Sequence, residues 1–154
     1  MTYEITTSNS EATQAVARRL SRLLSGGETV ELASDLGGGK TTFVQGLVAA
    51  LGYTGAVTSP TFTLSNVYEL SDGRQLHHYD LYRLNEGGIL AEELAEDLGD
   101  PKIITVIEWA GVAESKLPAD RLTIKFDVTG DTDRQLIFSA GGPKSERIIK
   151  GLAT

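Results

Sequence analysis

The segment Ser34-Asp35-Leu36-Gly37-Gly38-Gly39-Lys40-Thr41 approximates the phosphate-cradling pattern G-x-x-x-x-G-K-[ST]. Each part has a physical task. Consecutive glycines let backbone N–H groups converge on an anion. A helix opening at the loop aims its positive end at the same phosphates. Lys40 adds a point charge for the β- and γ-phosphates, and the Thr41 hydroxyl is placed to ligate Mg²⁺. Serine stands where the pattern has its first glycine. If that turn requires positive φ, Ser34 is strained; if not, the serine is harmless. A plain strand-to-helix turn is the competing reading. The context argues against it, because Thr29 to Ala33 (TVELA) is β-rich and Phe43, Val44, Leu47, Val48 and Leu51 trace the apolar face of a following helix.

Such a loop needs a carboxylate to complete a magnesium site. Glu108 ends the β-branched run Ile103-Ile104-Thr105-Val106-Ile107, the pattern of a buried strand closing on an acid. Asp80 ends Leu76-His77-His78-Tyr79, a less apolar run, and composition leaves it open between a site acid and a surface acid. His77 and His78 point to opposite faces of a strand and cannot comfortably share a metal; they are read as packing or surface residues without chemistry. Thr58-Ser59-Pro60-Thr61-Phe62 is a hydroxyl-rich loop. It is either a Ser-Pro turn or a segment ordering around a γ-phosphate, with Thr61 as the sensing hydroxyl. Trp109 follows Glu108 directly and suits either a cap on the sheet or an exposed partner anchor.

The elements around these residues alternate. Tyr3 to Thr7 reads as a strand. Ser8 with Glu11 has capping-box form before an amphipathic helix, which Gly26 and Gly27 stop. Thr29 to Ala33 is a strand, followed by the glycine loop and a helix that Gly52 ends. Thr63 to Leu70 and Arg74 to Arg83 suggest a hairpin around Ser71-Asp72-Gly73. An acidic helix is predicted over Asn85 to Leu98, and Lys102 to Glu108 reads as the central buried strand. Leu122 to Val128 and Arg134 to Ala140 form a second hairpin, and Ser145 to Leu152 a terminal helix. The order predicts a single α/β domain over residues 1–154, with helices flanking a mixed central sheet and antiparallel pairs added to a P-loop core.

Bulk properties narrow the function. A chain of 154 residues suits one core, and 40% hydrophobic with 23% charged residues is ordinary soluble composition. No apolar run is long enough to span a bilayer, and Met1 to Ser10 is polar, which fits neither a secretory signal nor a transit peptide. With no cysteine, disulfides and thiolate chemistry are excluded, in keeping with a cytoplasmic location. A net charge of −7 makes the chain a poor stand-alone binder of RNA or DNA; any nucleic acid in its work is held by a partner.

Taken together, SDLGGGKTTFVQGL from Ser34, VTSPTFTL from Val57, HYDLYRL from His78, IEW from Ile107 and LPADRL from Leu117 resemble the bacterial TsaE family, the P-loop ATPases of tRNA threonylcarbamoyladenosine biosynthesis. The blocks cover most of the chain. SPTF followed by DLYRL and EW is far more specific than a P-loop alone. Departures are Ser34 for the usual glycine and Gly38 for the usual alanine, and the stretch after Val128 matches no firm motif. The resemblance implies an ATPase with ATP and Mg²⁺ as cofactors. Gly37, Gly38, Gly39, Lys40, Thr41 and Thr42 would hold the nucleotide, and Thr41 and Glu108 the metal. Asp80 would act near the γ-phosphate or the attacking water, with Lys40, Asp80 and Glu108 as the catalytic set. Thr61 would sense the nucleotide, and Ser10, Gly111 and Arg134 would touch it by position. It further implies work with the TsaD and TsaB proteins, in which TsaD modifies the adenosine next to the anticodon and hydrolysis by this chain supports turnover, tRNA being met only through the complex.

Two other classes remain compatible with a P-loop. A small-molecule kinase needs a lid carrying arginines, which so short a chain does not offer clearly. A nucleotide-dependent interaction module with little hydrolysis needs less than both Asp80 and Glu108. No arginine finger is evident in cis; Arg83 beside Asp80 is either one or a salt-bridge partner.

Overall fold

The computed structural model describes residues 1–34, 39–58, 60, 65–81, 88–109 and 116–154, with the backbone alone for 88–91. The chain runs β1 (Thr2–Thr7), α1 (Ser10–Ser21), β2 (Thr29–Ala33), α2 (Lys40–Ala50), β3 (Ser65–Glu69), β4 (Gln75–Asp80), α3 (Gly88–Asp97), β5 (Ile103–Glu108), β6 (Leu122–Val128), β7 (Arg134–Ala140) and α4 (Pro143–Ala153). The strands form one sheet in the order β1-β7-β6-β2-β5-β4-β3. β6, β2, β5 and β4 are mutually parallel. The antiparallel β3–β4, β6–β7 and β1–β7 pairs extend this core on both sides, which makes the sheet mixed as its sequence predicts.

Burial follows the sequence chemistry. β5, almost wholly β-branched, is buried at nearly every position, as a strand covered on both faces must be. β6 alternates, with Leu122, Ile124 and Phe126 inward. One face of the sheet carries the larger core, where Leu76, Ile104, Val106, Ile124 and Phe138 meet Leu20 of α1, Phe43 and Leu47 of α2 and Ile149 of α4. The other face packs Tyr79, Leu81 and Ile107 against Leu94 of α3 and Leu117. Each fully buried side chain of this size contributes roughly 1.5–3 kcal/mol relative to exposure. Among the described residues, no helix is long and apolar enough to cross a membrane.

Two local readings are corrected. Asn9, not Ser8, caps α1: its backbone is extended at φ −160°, and its side-chain oxygen accepts the Ala12 N–H at 2.7 Å. The helix also ends at Ser21, before Gly26 and Gly27. Those glycines serve another purpose. Both have positive φ, and a Cβ on Gly26 would lie 2.0 Å from the Pro101 carbonyl oxygen, so the turn into β2 passes too close to the loop before β5 for any side chain.

A second close approach joins α1 to α2. A Cβ at Gly46 would sit 2.8 Å from the Gln14 Cα and 3.0 Å from its carbonyl oxygen. Because the obstacle is backbone, it cannot swing aside. Alanine would gain about 1 kcal/mol of helix propensity over glycine. The clash costs typically 1–3 kcal/mol, so Gly46→Ala is expected to lower stability. Urea denaturation reads the sign directly, and a stabilised variant would show the helices free to separate.

Asp120 closes the fold from outside an element. Its carboxylate accepts the N–H groups of Lys144 and Ser145 at 2.9 and 3.1 Å and the Ser145 hydroxyl at 2.7 Å, so it caps α4 in place of Gly142, which has no side chain. Desolvation works to raise the Asp120 pKa, but the bonds from Ser145 and Lys144 outweigh it and leave the group below its ordinary value. The capping stabilisation is therefore full above the unfolded aspartate value near 4. It is lost as pH falls through the lower folded value. Asp120→Ala should cost about 1 kcal/mol at neutral pH, and chemical denaturation at neutral pH and near pH 3 should show the difference shrinking in acid.

Candidate functional site

β2, β5 and β4 end at one edge of the sheet, and their register sets Leu32, Glu108 and Asp80 side by side on adjacent strands. The carboxyl ends of parallel strands are where open α/β sheets bind ligands. Residues 78 and 80 of β4 and 108 of β5 share parity with Leu76, Ile104 and Val106. They therefore project to the face covered by α1 and α2. α2 opens above them with Gly39 as its N-cap, at φ 101°. An L-residue there would be strained.

Lys40, the first residue of α2, bends back into this row. Its Nζ lies 3.2 Å from Glu108 Oε1 and donates to the Ser34 carbonyl oxygen at 3.1 Å. The ammonium also sits 5.8 Å from the centre of the Trp109 ring. The second carboxylate oxygen, Glu108 Oε2, is 2.6 Å from His78 Nε2. The N–H is not aimed at the oxygen, so this contact is electrostatic rather than a directed hydrogen bond. All four polar groups are sheltered: Lys40 is 8% exposed, Glu108 4%, Asp80 3% and His78 1%. Desolvation works to raise the Glu108 pKa, but His78 and then Lys40 more than offset it, so the carboxyl is held below its ordinary value and is ionised at neutral pH.

The surroundings suit an incoming anion and cation together. α1 is closed by the Asn9 side chain, whereas the N-cap of α2 is a glycine and brings no side-chain oxygen to the first-turn amides. Thr41 and Thr42, half-buried, stand in that turn. Among the described residues no three His, Asp or Glu side chains form a metal cage. Mg²⁺ takes one or two protein oxygens and fills its remaining positions with phosphate and water; Thr41 at the opening of α2 and Glu108 at the end of β5 are the residues that would hold it.

Ser34 does not have positive φ, so serine at the first position of the motif carries no left-handed strain. Trp109 does have it, at φ 60°, alone among the described non-glycine residues, and it is 42% exposed. That geometry costs roughly 1–3 kcal/mol and settles Trp109 outside the core. Arg134 opens β7 at the same end of the sheet. Its Nη1 donates to the carbonyls of Gly130 and Asp133 at 3.3 and 2.8 Å, and its Nε lies 3.9 Å from where a Gly39 Cβ would be. Ser10 begins α1 at that end and is exposed. Gly37, Gly38, Thr61, Arg83 and Gly111 lie outside the described residues.

The two histidines do face opposite ways. His77 turns to the α3 side, where Nδ1 and the Tyr79 hydroxyl both meet Asp97 Oδ2, and Nε2 is 2.7 Å from Gln75 Oε1. Burial, then the bond to Asp97, pushes the Tyr79 hydroxyl far above its ordinary pKa, so it stays a donor. His78, read from sequence as having no chemistry, instead touches Glu108. The available signal was its spacing, since two residues before Asp80 on one strand is the same face. A cleft of about 390 Å³, lined in part by Thr29, Leu117, Pro118 and Lys144, lies at the opposite, amino-terminal ends of the strands.

The Lys40–Glu108 pair is testable without nucleotide. Removing one partner leaves the other charge sheltered and unmatched, which is more costly than removing both. In a double-mutant cycle of Lys40→Met and Glu108→Gln, the coupling should be about 1–3 kcal/mol. Additive denaturation energies would mean the pair is solvated and idle.

Comparison with known proteins bears on the family and the fold. Residues 7–136 match the family model described as threonylcarbamoyl adenosine biosynthesis protein TsaE. The tRNA threonylcarbamoyladenosine biosynthesis protein TsaE of Bacillus subtilis is 37% identical over 153 residues, covering 96% of this chain and 91% of that protein. The protein of the same name from Streptomyces coelicolor is 43% identical over 119 residues, covering 76% and 80%. The crystal structure of Bacillus subtilis YdiB superposes with a TM-score of 0.81 at 33% identity, over 99% of this chain and 95% of that one. With that fold, and with the family model spanning most of its length, the chain belongs to the TsaE family.

Proposed function

We propose that the protein is a cytoplasmic Mg²⁺-dependent ATPase of tRNA threonylcarbamoyladenosine biosynthesis, using hydrolysis as a switch that supports the TsaB–TsaD complex. Family membership supports the pathway, since relatives carry that activity in their names. The observation that carries the ATPase reading is the sheltered Lys40–Glu108 contact at the strand ends, with Asp80 next to Glu108 in register.

That contact is a resting arrangement suited to exchange. Lys40 can leave Glu108 for the β- and γ-phosphates, freeing the carboxylate for Mg²⁺, with Thr41 as the second protein oxygen. Each buried charge then trades one opposite charge for another and none is stranded. Bound magnesium would neutralise charge on the transferring phosphoryl group. Asp80, on the next strand, is the group to orient or accept a proton from the attacking water. Arg134 stands at the loop as a fixed positive charge, its Nη1 already donating to carbonyls. Slow turnover by the protein alone follows, because Arg134, the arginine described at the loop, is held by backbone carbonyls rather than aimed at a leaving phosphate. The net charge of −7 leaves tRNA to the partners.

ATP hydrolysis by the purified protein, alone and with TsaB–TsaD and tRNA, tests this. Turnover is expected to be slow alone and to rise with the complex. It should vanish in Lys40→Ala and Glu108→Ala, a loss of at least about 100-fold, since each removes charge stabilisation from the transferring group. Turnover indifferent to the complex would remove the switch role and leave a P-loop hydrolase of other purpose.

A further inference from the structure

The buried His78 makes no directed hydrogen bond through either ring nitrogen, although it lies in the heart of the site and is 1% exposed. A histidine kept in that state costs stability that an apolar residue of similar volume would not. The fold does not require it: its neighbours on this face, Leu76 and Val106, are ordinary core residues. What its Nε2 meets, at 2.6 Å, is Glu108 Oε2. A carboxylate only accepts, so the Nε2 edge of the ring is the one able to donate to it, although in this arrangement the N–H is not aimed at the oxygen. The opposite oxygen, Oε1, faces Lys40 at 3.2 Å. Glu108 is thus gripped on both oxygens by groups from different elements, β4 on one side and α2 on the other. Its two partners differ in freedom. Lys40 has a long stem and a second contact at Ser34. The His78 ring is short, wholly buried and fixed to a central strand paired in register with β5.

We propose that His78 is a positioning residue: it fixes the Glu108 carboxylate when Lys40 departs, so that one oxygen stays presented to the metal. This rests on the reading of the site as a magnesium–nucleotide site. A carboxylate with no such anchor would have several rotamers open to it once the lysine left, and the metal would have to select one. Partners of metal-binding side chains typically change metal affinity by 10- to 100-fold when removed. In this reading His78 acts through Glu108 alone. Its loss is therefore expected to raise the Mg²⁺ requirement and to leave metal-free nucleotide affinity unaltered.

The test is a Mg²⁺ titration of the binding of a fluorescent ATP analogue, followed by anisotropy, with a parallel measurement in EDTA. His78→Leu keeps volume and removes the donor. His78→Gln returns an amide N–H near the Nε2 position, while His78→Asn places one only near Nδ1. The Leu and Asn variants should need about 10- to 100-fold more Mg²⁺ for half-maximal binding. The Gln variant should stay close to the unaltered protein, and all should bind equally in EDTA. A Leu variant with an unaltered Mg²⁺ requirement would overturn the inference. So would an equal loss with and without metal, which marks a packing role. Should the Leu variant fail to fold, Gln and Asn decide: Gln retaining what Asn loses supports the role, and equal behaviour refutes it. An unaltered protein that binds no analogue at any Mg²⁺ concentration would sink the nucleotide reading itself, whereas normal binding with indifferent variants sinks only this inference.

Discussion

A lysine and a glutamate pressed together out of water constrain everything else in this site. Desolvating two charges is repaid only where geometry is tight and the remaining valences are met. Here the Ser34 carbonyl takes part of the ammonium and His78 faces the second carboxylate oxygen. The arrangement requires β2 to deliver Ser34, β5 to deliver Glu108, β4 to deliver His78, and α2 to start where Lys40 can reach all of them. A slip of one residue in the β4–β5 register would turn His78 and Asp80 to the α3 face, and the set would come apart. The buried charges and the strand register therefore depend on each other.

Register on this sheet is held by packing at its flanks. β5 has no polar face to tell it which way to turn; its neighbours do that. The alternation of β6 and β7 places Ile124, Phe126, Leu136 and Phe138 on the same face as the helices α1, α2 and α4. α1 presses on α2 so closely that only glycine fits at position 46. That contact keeps the amino-terminal end of α2 over the row of strand ends. On the other face, the Asp97 carboxylate takes both His77 and Tyr79, tying β4 to the end of α3. The two neighbouring histidines divide the work of one strand, His77 toward structure and His78 toward the site.

Much of this was legible in the sequence wherever one residue pattern has one physical cause. The strands β2, β6 and β7 end where their β-rich runs end, and the acid closing β5 falls at the site because a buried strand rarely finishes on a charge without a use for it. What was not legible depended on relations between segments. Asn9 rather than Ser8 caps α1, because capping turns on which backbone is extended at that point, and both residue types qualify by composition. Gly26 and Gly27 look like helix stops but are set by the approach of Pro101, some seventy-five residues away in the chain. Asp80 could not be told from a surface acid until its pairing with Glu108 was known. His78 is hidden in the sequence by its neighbour, because an adjacent histidine pair reads first as two ligands for one metal on opposite faces of a strand. Its parity with Asp80 pointed to the site, but contact with Glu108 is a cross-strand fact.

On the proposed function, an acidic protein must bind a polyanion, which poses a problem of range. At a net charge of −7 the chain as a whole repels ATP, yet in physiological salt that repulsion is screened beyond about 8 Å. Affinity for such a ligand would then have to come from within a Debye length of the phosphates, from the end of α2, Lys40 and the metal. On that reading the metal would be more than a catalytic accessory. Without it, Glu108 and Asp80 would face the γ-phosphate as like charges at the strand ends. With it, Glu108 becomes an attraction. Under the proposed function, the same pair of acids that would oppose free nucleotide would favour the magnesium complex, and hydrolysis would remove the phosphate on which that balance turns. An acidic surface elsewhere would cost such a switch nothing, and it disfavours direct contact with nucleic acid.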